Sequence, residues 1–183
     1  STLPFTDVSQ NDWFYNAVNY AYQNKLFSCM NETTFAPNVP MSRAMLVQVL
    51  YNMAGKPEVS GTSSFRDVGS AWYQNAVTWA SQNGIIYGTD KHTFSPESAV
   101  TREQTAAILQ RYMQKTGKDT SASADLSKYP DAASVSAWAK DSMQWAVGSG
   151  LIEGVKSGST VTLSPQDSST RAQIAQMLYN FFK

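Results

Sequence analysis

Three arginines, Arg43, Arg102 and Arg171, each stand six residues after a proline (Pro37, Pro96 and Pro165). Their surroundings agree: Ser42-Arg43-Ala44-Met45, Thr101-Arg102-Glu103-Gln104 and Thr170-Arg171-Ala172-Gln173. The prolines lie in matching pieces, Phe35-Ala36-Pro37, Phe94-Ser95-Pro96 and Leu163-Ser164-Pro165. A guanidinium offers a planar fork of donors that holds a carboxylate by two parallel bonds. Repetition implies one surface presented three times, not a single active site.

The elements that must position these arginines are helices. Ser42, Thr101 and Thr170 are good N-caps. Gln104 and Gln173 stand three residues later, where a capping box needs Glu or Gln; Met45 cannot fill that role. Each arginine therefore falls on the first turn of a helix, where free N–H groups and the dipole also favour an anion. A cation there mildly opposes the dipole, and making that choice three times suggests a purpose other than helix stability. The following stripes Leu46, Val49, Leu50, Met53; Thr105, Ile108, Leu109, Tyr112; and Ile174, Met177, Leu178, Phe181 define an apolar face.

Upstream, each repeat opens with an aromatic and an aspartate, Phe5-Thr6-Asp7-Val8, Phe65-Arg66-Asp67-Val68 and Tyr129-Pro130-Asp131-Ala132. A first helix follows, with Trp13, Ala17, Tyr20 and Ala21 on one face, and Trp72, Ala76, Trp79 and Ala80 or Trp138, Ser142, Trp145 and Ala146 in the same places. Recurrence on an apolar face reads as core for these tryptophans. The first helix is expected to stop at Asn83-Gly84 and Ser149-Gly150, and at Asn24 in repeat one, with Asn in the left-handed conformation. Short loops come next, Ile85-Ile86-Tyr87-Gly88 and Leu151-Ile152-Glu153-Gly154, with Leu26-Phe27-Ser28 in repeat one. Repeat three carries a longer segment, 155–162.

The divisions are 1–55 for repeat one, 56–117 for a linker and repeat two, and 118–183 for a linker and repeat three; segments 56–64 and 118–128 read as linkers. Two helices of this length cannot bury their faces alone. The fold class is therefore mainly α, with three helix–loop–helix repeats in one compact pseudo-threefold domain.

Composition narrows the function. The 183 residues carry 14 basic and 14 acidic side chains, so no basic stripe marks a nucleic-acid partner. No apolar run is long enough to insert in a membrane. Ser1-Thr2-Leu3-Pro4 is not a signal peptide, so a leader was removed or the chain is a piece of a longer protein. Cys29 is the single cysteine, which rules out an internal disulfide, and it reads as a small filler. His92 sits in a turn-like stretch unsuited to catalysis or metal binding, and no cofactor is implied.

The aromatic-x-Asp-Val opening, the tryptophan, the apolar-apolar-x-Gly piece, the Phe-x-Pro piece and the Thr-Arg-x-Glu/Gln motif occur in this order, complete in repeat two and with departures in repeats one and three. In this the chain resembles the S-layer homology (SLH) domain triplet over almost its whole length. The resemblance implies a pseudo-trimer with one helix from each repeat in a central bundle and ligand grooves between repeats. It implies anchoring of a secreted bacterial surface protein to the cell wall through a secondary wall polysaccharide, in much of the family a pyruvylated N-acetylmannosamine. The motif arginines Arg43, Arg102 and Arg171 would face that ligand. Gly88 and Gly154 would let a sugar approach the backbone, unless turn geometry alone explains them. Gln104, Gln173 and Trp72 complete the expected ligand-binding set. The opening aspartates are read as structural. A simpler role for the arginines is to pair with Asp7, Asp67 and Asp131 and tie repeats together.

Repeat two has the most complete motif set, so Arg102 is the first candidate for a working site. The alternative function is a protein-interaction or self-assembly module of the surface layer. Catalysis is not expected, because Glu32, Glu58, Glu97, Glu103 and Glu153 do not recur as a set. The isolated module is expected to be monomeric and to belong to a larger surface protein.

Overall fold

The computed structural model describes residues 2–27 and 31–182. Cys29 and Ser28, both assigned above, lie outside the described residues. The helices are α1 (Tyr15–Gln23), α2 (Arg43–Met53), α3 (Gln74–Gln82), α4 (Arg102–Lys115), α5 (Lys140–Gly148) and α6 (Arg171–Phe182). Two single turns of 3₁₀ helix, Ala132–Ser134 and Ala137–Ala139, precede α5. The longer segment of repeat three folds as a hairpin of β1 (Val155–Ser157) and β2 (Thr160–Thr162), with Val155 opposite Thr162 and Ser157 opposite Thr160. The mainly α expectation and the helix–loop–helix plan of each repeat hold.

The chain gathers into two compact units: Ser1–Ala99 with Ser169–Lys183, and Val100–Ser168. In the first unit α1 packs against α6 and α2 against α3. In the second α4 packs against α5. The second helix of one repeat thus pairs with the first helix of another, which is how two-helix units too short to bury their own faces find cover. Aromatic contacts mark these pairings. Tyr51 of α2 meets Trp79 of α3 at 5.5 Å between ring centroids, and Tyr20 of α1 meets Tyr179 of α6 at 5.6 Å. In the second unit the polar Ser142 on the buried face of α5 donates to Gln110 Oε1 at 2.7 Å, which satisfies its hydroxyl.

The second helices are buried on more than the single stripe read from sequence. In α4, Ala106, Ala107 and Met113 join Thr105, Ile108, Leu109 and Tyr112 in the core. Capping follows chemistry. Thr101 accepts from Gln104 N–H at 3.2 Å while Gln104 Oε1 accepts from Thr101 N–H at 3.1 Å. Thr170 and Gln173 do the same at 3.1 and 2.9 Å. Ser42 accepts from Met45 N–H at 3.1 Å, and a thioether returns nothing.

The first helices end as expected in repeats two and three, with Gly84 at φ +68 and Gly150 at φ +80. Repeat one differs: Lys25, not Asn24, takes the left-handed conformation (φ 55). Asn24 stays at φ −93 and donates its side-chain amide to Tyr20 O at 2.8 Å.

The tryptophans that open the helices contradict the core reading. Trp13, Trp72 and Trp138 are 63%, 59% and 56% exposed. Helices α1 and α3 start two residues after Trp13 and Trp72, and Trp138 lies in a 3₁₀ turn, so the helical face that would have buried them does not reach that far. Phe14, Tyr73 and Ala139, each the next residue, are buried instead. Trp13 and Trp72 rest edge-on against Phe14 and Tyr73, at 5.1 and 4.9 Å.

The linkers are docked. Gln82 Nε2 donates to Ser60 O at 2.8 Å and Tyr51 Oη to Pro57 O at 2.6 Å. Ala124 N–H donates to Gln144 O at 3.0 Å, and Leu126 is buried.

Candidate functional site

The geometry around each arginine starts from a strained residue. Ala36, Ser95 and Ser164 occupy the left-handed region, at φ 59, 59 and 49. None is glycine, and each precedes a proline, which disfavours helical conformations in the residue before it. The opening aspartates hold this strain. Asp7 accepts from the N–H groups of Phe35 and Ala36 at 3.0 and 2.8 Å. Asp67 accepts from Phe94 and Ser95 at 2.9 and 2.8 Å. Asp131 accepts from Leu163 and Ser164 at 2.9 and 2.8 Å. Successive N–H groups around a left-handed residue form a concavity suited to an anion, here filled by the chain's own carboxylate. The structural reading of these aspartates holds.

The carbonyl of the clamped residue then receives an arginine from a different repeat. Arg43 Nε donates to Phe94 O at 2.9 Å, Arg102 Nε to Leu163 O at 2.8 Å and Arg171 Nε to Phe35 O at 2.8 Å. One residue thus offers its N–H to aspartate and its carbonyl to arginine. The arginines do tie repeats together, through the backbone carbonyls beside the aspartate clamps. Arg43 Nη2 also donates to Tyr87 O at 3.1 Å, and Arg102 Nη2 to Glu153 O at 2.8 Å. Arg171 Nη1 contacts Met45 Sδ at 3.7 Å.

All three arginines are buried. Arg43 lies over the Phe94 ring at 4.7 Å, and Arg171 over Phe35 and Phe27 at 4.8 and 5.5 Å. Leu163 takes the aromatic's place at Arg102. Burial pulls the Arg102 guanidinium's pKa below its ordinary value, while Asp167 and Asp131 oppose that shift.

The helix N-termini are not open to an anion, which corrects the expectation of free N–H groups there. Arg43 and Ala44 N–H donate to Ser98 O and Pro96 O at 2.9 and 3.0 Å. Arg102 and Glu103 N–H donate to Asp167 O and Pro165 O at 2.8 and 3.0 Å. Arg171 and Ala172 N–H donate to Val39 O and Pro37 O at 3.0 and 2.9 Å. The next N–H in each helix goes to the cap. The chain's own groups therefore take up the N-terminal N–H groups of these helices.

The glycines also have a different reason from either one expected. Gly88 and Gly154 do not have positive φ. A methyl group at Gly88 would meet the carbonyl oxygens of Asp90 and Thr93 and the Phe65 ring, the last at 2.6 Å. At Gly154 it would meet the Val161 side chain. The chain itself fills the space that a sugar was expected to use. Gly88→Ala is therefore expected to cost about 2–3 kcal/mol through overpacking against backbone. Urea unfolding checks this; unchanged stability with weakened glycan binding would restore the ligand role.

Among the expected site residues, Arg171 and Trp72 come together. They line a small cleft of about 10 Å³ in the first unit with Phe27, Met41, Met45, Gln48 and Val49. Gln48 donates Nε2 to Asn52 Oδ1 at 3.0 Å, which fixes its amide. Gln48 and Met41 were not anticipated, because neither belongs to a recurring motif. Gln104 and Gln173 serve as capping partners through Oε1. Glu103, alanine in the other two repeats, is buried and accepts from Ser136 N–H and Oγ at 2.9 and 2.7 Å, anchoring the entry to the second 3₁₀ turn.

Among the described residues no group of three or more His, Cys, Asp and Glu could hold a metal ion, and no helix is long and apolar enough to cross a membrane.

The model of the S-layer homology domain matches residues 4–44, 64–106 and 128–175. A surface-layer 125 kDa protein of Lysinibacillus sphaericus is 33% identical over 142 residues, covering 77% of this chain and 12% of that protein. An endoglucanase of Bacillus sp. (strain KSM-635) is 28% identical over 178 residues, covering 97% of this chain and 18% of that enzyme. A cellulosome-anchoring protein of Acetivibrio thermocellus is 26% identical over 121 residues, covering 63% of this chain and 27% of that protein. The chain spans less than a third of the length of each of these relatives.

Proposed function

The chain belongs to the S-layer homology domain family, and from that premise we propose that it anchors a larger protein by binding an acidic secondary cell-wall polysaccharide. Its location is the bacterial cell surface, the setting of the surface-layer relatives. The recognised unit in this reading is a pyruvylated N-acetylmannosamine, a sugar bearing a compact carboxylate. The observation that carries it is the cleft where Arg171, Trp72 and Gln48 meet. A guanidinium suits the carboxylate, an exposed indole offers a face for a sugar ring, and a fixed amide suits a hydroxyl. The module is read as non-catalytic: the enzyme relatives match it over a small share of their own length, which leaves the rest of each for catalysis.

Calorimetry with purified wall polysaccharide, before and after removal of pyruvate, tests the reading. Binding is expected with the intact polymer and is expected to fall at least tenfold after the acid is removed. Trp72→Ala is expected to weaken it by a further tenfold, since stacking on one aromatic contributes about 1–3 kcal/mol in comparable base–aromatic contacts. No binding by the wild type, together with concentration-dependent assembly in light scattering, would replace the anchor with a self-assembly module.

A further inference from the structure

A cavity of about 140 Å³ lies in the first unit where the linker after repeat one meets α3, and it shares no lining residue with the Arg171 cleft. Thr62, Ser63, Gln74 and Thr78 supply its polar wall, Phe65 and Val68 its apolar one. Gln82 Nε2, donating to Ser60 O at 2.8 Å, holds the linker against the helix. A ring contact with Phe94 at 5.6 Å fixes Phe65. None of the residues lining the cavity is charged.

Thr78 is buried, at 2% exposure. A helical threonine can satisfy its hydroxyl on the carbonyl four residues earlier, as Thr105 does on Thr101 O at 2.8 Å. Thr78 does not, and among the described residues the side chains of Thr62, Ser63, Gln74 and Thr78 make no hydrogen bond. A buried hydroxyl without a partner costs free energy, and the cavity is the space from which a partner can reach this one. The other repeats are built differently at this point. Leu3 stands two residues before Phe5 and Leu126 three before Tyr129, and both are buried. The matching positions ahead of Phe65 are Ser63 and Thr62. A hydroxyl where the counterpart is a buried leucine serves something other than packing.

We propose that this cavity is a saccharide subsite, separate from the Arg171 cleft, that takes one neutral sugar residue. Hydroxyl and amide side chains both donate and accept, as sugar hydroxyls do. Phe65 offers an apolar surface to the C–H face of a sugar ring. A lining without charge gives an acidic unit no partner. The size admits a single small unit, since pockets for drug-sized ligands run to about 300–1,000 Å³. The wall-glycan reading names the source of the sugar, but the site does not depend on Arg171.

The test is an amide-resolved NMR titration with short oligosaccharides released from the wall polysaccharide and stripped of pyruvate. It is run on the wild type, on Ser63→Leu and on Thr78→Val. Saturable shift changes are expected in the wild type at the amides of 62–69 and 74–78, which carry the lining. Ser63→Leu restores the apolar residue of the other linkers. It is expected to raise the unfolding midpoint and to weaken binding of these oligosaccharides at least about tenfold, because the side chain fills the cavity. Thr78→Val keeps the shape and removes the hydroxyl, and is expected to weaken binding about three- to tenfold, the range of one neutral hydrogen bond. The valine variant keeps the test decisive should leucine disturb the linker. No shifts at the cavity, or an affinity unchanged in both variants, overturns the inference. Calorimetry with the intact acidic polymer reads the other site. Its binding without cavity shifts removes this inference alone, and cavity shifts without its binding remove the acidic-sugar reading alone.

Discussion

Arg171→Ala is expected to lower the unfolding free energy by about 3–4 kcal/mol. Arg171 is 1% exposed, and its Nε donates to Phe35 O at 2.8 Å. Truncation leaves that carbonyl without its charged donor, which costs about 1–3 kcal/mol for a buried acceptor. It also removes a guanidinium packed over Phe35 and Phe27, adding lost cation–π and dispersion contact. Urea unfolding at constant m-value reads the sum. A loss below about 1 kcal/mol would show that the arginine is a ligand group with no structural duty. Arg171→Lys should fall between the wild type and alanine, because an ammonium keeps the charge but cannot reproduce the planar fork. The lysine variant is therefore the better probe of binding: it separates loss of glycan affinity from loss of fold.

How much of this was legible in the chain depends on whether the signal was local. The caps at Ser42, Thr101 and Thr170 and the glycine stops at Gly84 and Gly150 were readable, because each depends on a few neighbouring residues. The aspartates were readable as structural but not by their partners. Asp131 reaches N–H groups 32 and 33 residues away, and no periodicity encodes that distance. The tryptophans failed because the apolar stripe was extended one turn too far. At Trp13 the stripe fits a helix, but the helix begins at Tyr15. The packing around the glycines was not readable, because a close approach by the chain itself leaves the same sequence mark as a close approach by a ligand. The further partners of Arg102 stayed hidden for another reason. The carbonyls of Glu153 and Asp167 meet the arginine only when two loops of repeat three converge on it.

Asp131→Ala should lower stability by about 2 kcal/mol, and its effect should depend on Arg102. Two charge-assisted bonds are lost, at 2.9 and 2.8 Å, in a half-buried position. Those bonds hold Ser164 at φ 49 directly before Pro165. Released, that residue is free to return to the extended region that proline favours in its predecessor. The carbonyl of Leu163 then turns away from Arg102 Nε, so the aspartate's loss also dismantles the arginine's bond. Asp131→Asn should cost about half as much, since an amide oxygen can still accept one of the two bonds. A double-mutant cycle of Asp131→Ala with Arg102→Lys is expected to give an interaction energy of about 1 kcal/mol or more. Strict additivity would mean that the clamp and the guanidinium act independently. In that case the repeated aspartate, carbonyl and arginine would be three separate features and not one coupled device.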